Sequence, residues 1–294
     1  MDDKDICLIG GDRRISYMAH ALQQEGCRVS CHATQTFDLQ NSFKVSTEKD
    51  AITIIPSLRE ALSNAGTIIC GIPFEKNGKL FCENGEIVSV AEFQRLLRKG
   101  QKIFAGLIPD YFLHHCEERS IECHDFLNDG SLTLFNAVAT AEGAILEALS
   151  NKESLLHQSH CLVLGFGRCG SLIAQRLLGL HANVFVSVRN PTELAMAKAC
   201  GYHAFPLSDL PSNISRFDYI FNTIPACYLG KDCLPQVRQD CLIIDIASGK
   251  KGVDYDLAKE LSLRALFCPG LPGKYAAKSC AQQLVKYVLQ TINS

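Results

Sequence analysis

The chain has 294 residues, 47% apolar and 20% charged, a balance that suits two soluble domains with ample core better than one. A formal net charge of -2 with no basic stripe argues against nucleic acid or an anionic membrane as a partner. The acidic opening Met1-Asp2-Asp3-Lys4-Asp5 is unlike a signal peptide, and no run of about 18 apolar residues follows, so the expected location is the cytoplasm.

Short apolar strands alternate with amphipathic helices from end to end, the pattern of parallel α/β sheets. Strands are predicted at residues 6–9, 28–31, 67–70 and 102–105, with helices at 13–25, 58–64 and 91–98 between them. Residues 34–49 show no clear period and read as a long surface connection. A long helix follows at 134–149, with Ala137, Ala141, Ala144, Ile145 and Ala148 on one close-packing face. The polar stretch Asn151-Lys152-Glu153-Ser154 breaks the pattern and puts the expected domain boundary at 150/151. The grammar then restarts with strands at 161–164, 184–188, 203–205, 219–222, 242–246 and 265–267. A final helix at 274–289 either stays with this half or packs back on the first.

The first of those later strands runs into Gly165-Phe166-Gly167-Arg168-Cys169-Gly170. This is GxGxxG between a buried strand and an apolar-periodic helix, the context that makes the motif informative. Gly165 permits the tight turn, Gly167 lets the backbone approach a pyrophosphate, and Gly170 lets helix and strand pack closely. The helix start, with Arg168, then offers amide donors and positive dipole to the phosphates. The bland alternative is a Gly-rich turn in a fold without a cofactor. The expected fold is therefore α/β in two domains. Residues 1–150 form a Rossmann-like or flavodoxin-like parallel-sheet domain carrying the substrate residues, and residues 151–294 a doubly wound NAD(P)-binding Rossmann domain.

An NAD site usually places an acid about 20 residues beyond the glycines, on the ribose 2′-hydroxyl. Here the next strand ends Ser187-Val188-Arg189-Asn190, and no acid occurs between Gly170 and Glu193. Arg189, helped by Ser187, Asn190 and Thr192, suits a 2′-phosphate, which favours NADP while leaving NAD open. Otherwise Arg189 is a solvated charge beyond a strand. Asn222-Thr223-Ile224-Pro225 and Asp245-Ile246-Ala247-Ser248 follow the fourth and fifth strands. Asn222, Thr223, Asp245 and Ser248 either line the nicotinamide side of the site or serve as turn formers.

Candidate substrate residues lie elsewhere. Gly10-Gly11-Asp12-Arg13-Arg14 joins the first strand to the first helix, where Arg13 and Arg14 suit a carboxylate, one of them being only a surface charge. Lys274, after Pro269-Gly270-Leu271-Pro272-Gly273, either holds a carboxylate or faces solvent. Glu142, on the long helix, is the candidate base, the alternative being an exposed helix charge. His114, His115, Cys116, Cys123 and His124 lack the spacing of a zinc site, so no metal is expected. The 15 cysteines read as reduced thiols, many buried in strands as small hydrophobes. No Ser-His-Asp arrangement or nucleophile elbow is recognisable.

Together these stretches, with Asn136-Ala137-Val138-Ala139-Thr140-Ala141-Glu142-Gly143 among the most specific, resemble the dipicolinate synthase A-subunit family of spore-forming bacteria. The chain departs from the family pattern at Gly249-Lys250-Lys251-Gly252, where a Pro-Gly-Gly type turn is expected, and at Tyr275-Ala276-Ala277-Lys278-Ser279. The resemblance implies a two-domain architecture similar to hydroxyacid and alanine dehydrogenases. It also implies NADP-linked oxidation of a dihydrodipicolinate-type cyclic dicarboxylate to pyridine-2,6-dicarboxylate. The implied partner is a flavoprotein-like B subunit in the mother cell of a sporulating bacterium, with a homo-oligomer also open. Alternatives are a cofactor-binding but non-catalytic subunit, and a different hydroxy or amino acid dehydrogenase.

Overall fold

The computed structural model describes residues 3–34, 52–249 and 252–293. The chain divides into two compact units, Met1–Phe135 with Ala276–Ser294, and Asn136–Tyr275.

In the first unit, β1 (Asp5–Ile9) leads into α1 (Arg13–Gln24), then β2 (Arg28–His32) and β3 (Thr53–Ile54). The surface connection expected at 34–49 lies, apart from Thr34, outside the described residues. There follow α2 (Leu58–Asn64), β4 (Thr67–Cys70), the small hairpin β5 (Glu75–Lys76) and β6 (Lys79–Leu80), α3 (Val90–Leu96), β7 (Lys102–Ala105), α4 (Asp110–Glu118) and β8 (Glu122–Asp125). Side-chain caps start α1, α2 and α3: Asp12 accepts from the Arg14 amide, Ser57 from Glu60 and Ser89 from Glu92. The described strands form a parallel sheet ordered β3-β2-β1-β4-β7-β8. That is the dinucleotide-binding order rather than the flavodoxin one, which settles the choice left open for this domain. Strand alternation sends Cys7 and Ile9 to one face, against α2, α3 and α4, and Ile6 and Leu8 to the other, against α1.

α5 (Gly130–Asn151) carries the chain into the second unit, where Ala141, Ala144 and Ala148 pack on the sheet. The division therefore falls at Phe135/Asn136 rather than at 150/151. The polar stretch after residue 150 ends a helix, and that helix belongs mostly to the second core. By length and composition α5 passes for a membrane span, but 56% of its most apolar window is buried.

Next come β9 (His160–Leu164), α6 (Arg168–Gly179), β10 (Asn183–Val188), α7 (Pro191–Ala199), β11 (His203–Pro206), α8 (Leu210–Asn213), β12 (Tyr219–Asn222), β13 (Leu242–Asp245), α9 (Tyr255–Glu260) and β14 (Arg264–Phe267). Their parallel sheet is ordered β11-β10-β9-β12-β13-β14, the same order again. The strands read as unbroken apolar runs because both faces are covered. The single helix expected at 274–289 is two, α10 (Leu271–Tyr275) and α11 (Ala277–Ile292), broken where Ala276 leaves helical geometry at φ -128, ψ 28. α11 packs beside α1 in the first unit, through Ala281, Leu284, Val285 and Val288.

The cysteines follow the fold. None of the 15 forms a disulfide, and burial pushes the thiols of Cys7 and Cys161 up to about 11 and about 12, which keeps them protonated.

Candidate functional site

The glycine turn stands at the carboxyl end of β9, the central strand of the second unit. Gly165 has φ +90, and a side chain there would meet Thr223 Oγ1 at 2.6 Å, so no other residue fits. Its amide donates to the Ser187 carbonyl at 2.9 Å. A Cβ on Gly170 would lie 2.1 Å from the Gly165 carbonyl oxygen, so α6 and the turn are in direct backbone contact. Gly167 differs from both: a Cβ there would meet nothing within 4 Å. It is also the N-cap of α6, and no side chain caps that helix. The first-turn amides and the dipole of a 12-residue helix therefore face open space beside a residue without a side chain. This geometry suits a pyrophosphate. Phe166 packs edge-on against Tyr202 at 5.6 Å, and Arg168 is exposed beside the turn.

At the end of β10, Arg189 is exposed and makes no hydrogen bond or ion pair among the described residues. Asn190 caps α7, accepting from the Thr192 amide at 2.8 Å, with Pro191 in the first turn. Its carbonyl oxygen is thus already used. Ser187 corrects the sequence reading: it is fully buried in β10, and its hydroxyl has no partner among the described residues. It cannot meet a ligand beside Arg189.

The residues after β12 and β13 also differ from expectation. Asn222 and Asp245 have no exposed surface, and Asn222 Nδ2 donates to Asp245 Oδ1 at 2.9 Å. Asp245 also accepts from the Ala247 amide at 3.0 Å and the Tyr255 hydroxyl at 2.6 Å. Thr223 donates its hydroxyl to the Leu164 carbonyl at 2.8 Å. Asn222 and Asp245 are buried beneath the edge of the sheet, while Thr223 is half-buried there with its hydroxyl turned to the Leu164 carbonyl. Only Ser248 is exposed there.

Residues 5–127 match the family of N-terminal domains of the dipicolinate synthase A subunit. The A subunit of dipicolinate synthase from Bacillus subtilis (strain 168) is 31% identical over 182 residues, 62% of this chain and 61% of that protein, so the match spans under two thirds of that relative. Over part of its length the chain is thus similar in sequence to dipicolinate synthase A subunits. The crystal structure of the A subunit from Bacillus halodurans shares the fold over 100% of this chain and 99% of that one, with a TM-score of 0.84 at 22% identity. A transhydrogenase from Sinorhizobium meliloti shares it at a TM-score of 0.64 and 14% identity, over 98% of this chain and 94% of that one. The chain thus shares its fold with a dipicolinate synthase A subunit and with a transhydrogenase.

Of the candidate substrate residues, Arg13 and Arg14 belong to the first unit and Glu142 and Lys274 to the second. Arg14 is buried and turned back on its own helix cap: Nε and Nη2 hold the Asp12 carboxylate at 2.7–3.1 Å, and Nη2 donates to the Ile72 carbonyl at 2.9 Å. With those donors used locally, it is a brace rather than a grip. Arg13 is exposed. Glu142 is exposed in an ion pair with Arg176 at 3.5 Å, the setting of a surface charge rather than of an enclosed base. Lys274 donates to Glu147 Oε1 at 2.5 Å, and the Tyr275 hydroxyl joins at 2.8 Å. Burial works to raise the Glu147 carboxyl, but the hydrogen bonds from Lys274, Tyr275 and Asn151 outweigh it and hold the carboxyl below its ordinary range. The hydrogen bond that Lys274 donates to Glu147 in turn raises the Lys274 ammonium.

Sequence reasoning missed Glu147, which is 127 positions from Lys274 and has no local signature. The Asp12–Arg14 brace was within reach, because an Asp directly before an apolar-periodic helix is a cap signal. His124 stacks on Phe104 and bonds Glu122, and His114 pairs with Glu117 and Glu118. Among the described residues no group of three or more His, Cys, Asp or Glu is arranged to hold a metal.

Proposed function

We propose that this chain is the dinucleotide-binding subunit of a dipicolinate synthase. In this reading it couples NADP to the oxidation of a dihydrodipicolinate-type cyclic dicarboxylate, giving pyridine-2,6-dicarboxylate. The observation that carries the reading is the open space over Gly167 at the uncapped start of α6. A nicotinamide dinucleotide held there would supply the acceptor for the hydride removed from the substrate ring. The chain's own part is to cradle the pyrophosphate on the Gly165–Gly170 turn, beside Arg168, and to meet a 2′-phosphate with Arg189. The accompanying proton passes to a base that none of the sequence candidates supplies, since Glu142 is in a surface pair. The kinship with A subunits supports a B-subunit partner and a role in the cytoplasm of a sporulating cell. Aromatisation of the ring favours the oxidation.

A second reading has one observation in its favour. Arg14 and Lys274 are held by acids of their own unit, which suits a protein that binds cofactor and leaves substrate to its partner. Absorbance at 340 nm with fresh dihydrodipicolinate and NADP, with and without a B subunit, separates the two. NADPH formation by the chain alone supports the first reading, and formation only with the partner supports the second. Cofactor choice is tested by Arg189→Ala. A charge-assisted hydrogen bond is worth roughly 1.5–3 kcal/mol, about one to two decades in affinity. NADPH should weaken by that factor and NADH hardly change; equal weakening of both would contradict the NADP assignment.

A further inference from the structure

Asp245 is the last residue of β13, has no exposed surface and pairs with no cation among the described residues. Taking an ionised carboxylate out of water is costly unless donors surround it. Its donors here are neutral: the Asn222 amide, the Ala247 backbone and the Tyr255 hydroxyl. A network of this kind is a poor source of stability but a good way to hold one geometry, because each missing donor leaves buried charge unsatisfied.

What it holds is the wall of the glycine turn. Asn222 Oδ1 accepts from the Ile224 amide at 3.2 Å while Nδ2 donates to the Ile224 carbonyl at 3.1 Å. Thr223 is fixed to the Leu164 carbonyl through both its amide, at 3.1 Å, and its hydroxyl. Thr223 Oγ1 and Ile224 Cγ1 then stand 2.6 and 3.1 Å from where a Gly165 Cβ would lie. From the other side, a Cβ on Gly252 would sit 1.9 Å from Asn222 Nδ2 and 3.0 Å from Asp245 Oδ1, so the segment leading to Tyr255 rests directly on the pair.

Resting on the dinucleotide reading above, we propose that Tyr255 is a positioning residue for the cofactor turn, acting through Asp245 and Asn222 on Thr223 and Ile224. Its hydroxyl completes the donor set of Asp245. That set fixes the wall against which Gly165 turns, and so where Gly167 and the start of α6 stand.

The test is a fluorescence titration with NADPH, on wild type, Tyr255→Phe and Thr223→Val, alongside thermal unfolding. The chain has no tryptophan, so bound NADPH is read with little background. Tyr255→Phe removes only the hydroxyl. It should raise the NADPH Kd about tenfold, the equivalent of about 1.4 kcal/mol, and change the emission of the bound cofactor. Thr223→Val acts at the other end of the same path, should weaken NADPH in the same direction, and decides the matter if Tyr255→Phe does not fold. Failure of the wild type to bind NADPH would overturn the dinucleotide reading and the proposal with it. A binding wild type whose variants keep its Kd and emission would overturn the positioning proposal alone. A lowered Tm with unchanged Kd and emission would overturn it too, leaving Tyr255 a purely structural role.

Discussion

After the first strand of each sheet the chain makes a glycine-rich turn into a helix, and the two turns are put to opposite use. In the first unit the Gly11 amide donates to the Phe81 carbonyl at 2.5 Å, and the Gly11 carbonyl accepts from Glu83 at 3.0 Å. A Cβ on Gly10 would meet Cys82 Sγ at 2.6 Å. The residues after the β5–β6 hairpin thus cover the place where a pyrophosphate would rest. Asp12 caps α1, and Arg14 neutralises Asp12. In the second unit the turn is uncovered, and α6 has no side-chain cap. Strand order is common to both sheets, so topology provides a place for an anion and no more. Whether an anion binds depends on whether the turn's amides and the helix start are already used by the chain.

The contrast can be broken by substitution. The largest effect is expected from Gly170→Ala, whose new methyl falls 2.1 Å from backbone oxygen that cannot move aside cheaply. Overpacking typically costs about 1–3 kcal/mol and occasionally more, and a clash with backbone puts this one at the upper end. Urea unfolding followed by circular dichroism should show it, and near-native stability would mean that α6 and the turn are not in the contact described.

Arg14→Met acts on the first unit, with an effect of comparable size. Removing the cation leaves Asp12 buried without its partner, which costs roughly 3–5 kcal/mol. The expected result is a lower Tm with unchanged NADPH affinity in the protein that remains folded. An unchanged Tm with a raised KM for the dicarboxylate would instead return Arg14 to substrate binding.

A smaller effect is expected at Glu147, and its sign depends on pH. Glu147 is held below its ordinary range in the folded chain, so its contribution is full above the unfolded value of about 4.3 and is lost as pH falls through the folded value. Lys274 is raised, so its share is full below about 10.4 and is lost as pH rises through its folded value. Glu147→Gln should therefore cost about 1–3 kcal/mol near neutrality and progressively less toward pH 3. Equal cost at both pH values would show that the Glu147–Lys274 pair does not stabilise the fold through its charge.

Much of the architecture was legible because it is written locally. The strands at Thr67–Cys70, Lys102–Ala105 and Tyr219–Asn222 are short apolar runs between turn signals and stand where the pattern put them. β8 was missed because Glu122–Asp125 is a polar edge strand, and β3 because two exposed residues carry no period. The glycine turn could be read for the same local reason: strand, motif and helix are contiguous. The roles of Asn222 and Asp245 could not, because each reads as a turn former and their pairing spans 23 positions. Ser187 was misplaced because both faces of this sheet are covered, so a residue near the end of β10 is buried whichever way it points.

The account's central claim is that the second unit alone offers a dinucleotide site, and Gly167 tests it most directly. Its φ of -75 and ψ of -163 accept any residue, and a Cβ there meets nothing in the protein. Gly167→Val should therefore keep its stability within about 0.5 kcal/mol of wild type while filling the space a pyrophosphate needs. Calorimetric titration with NADPH should give one site per chain in the wild type and no measurable binding in the variant. A second equivalent of NADPH per chain, or near-native affinity in Gly167→Val, would contradict the claim.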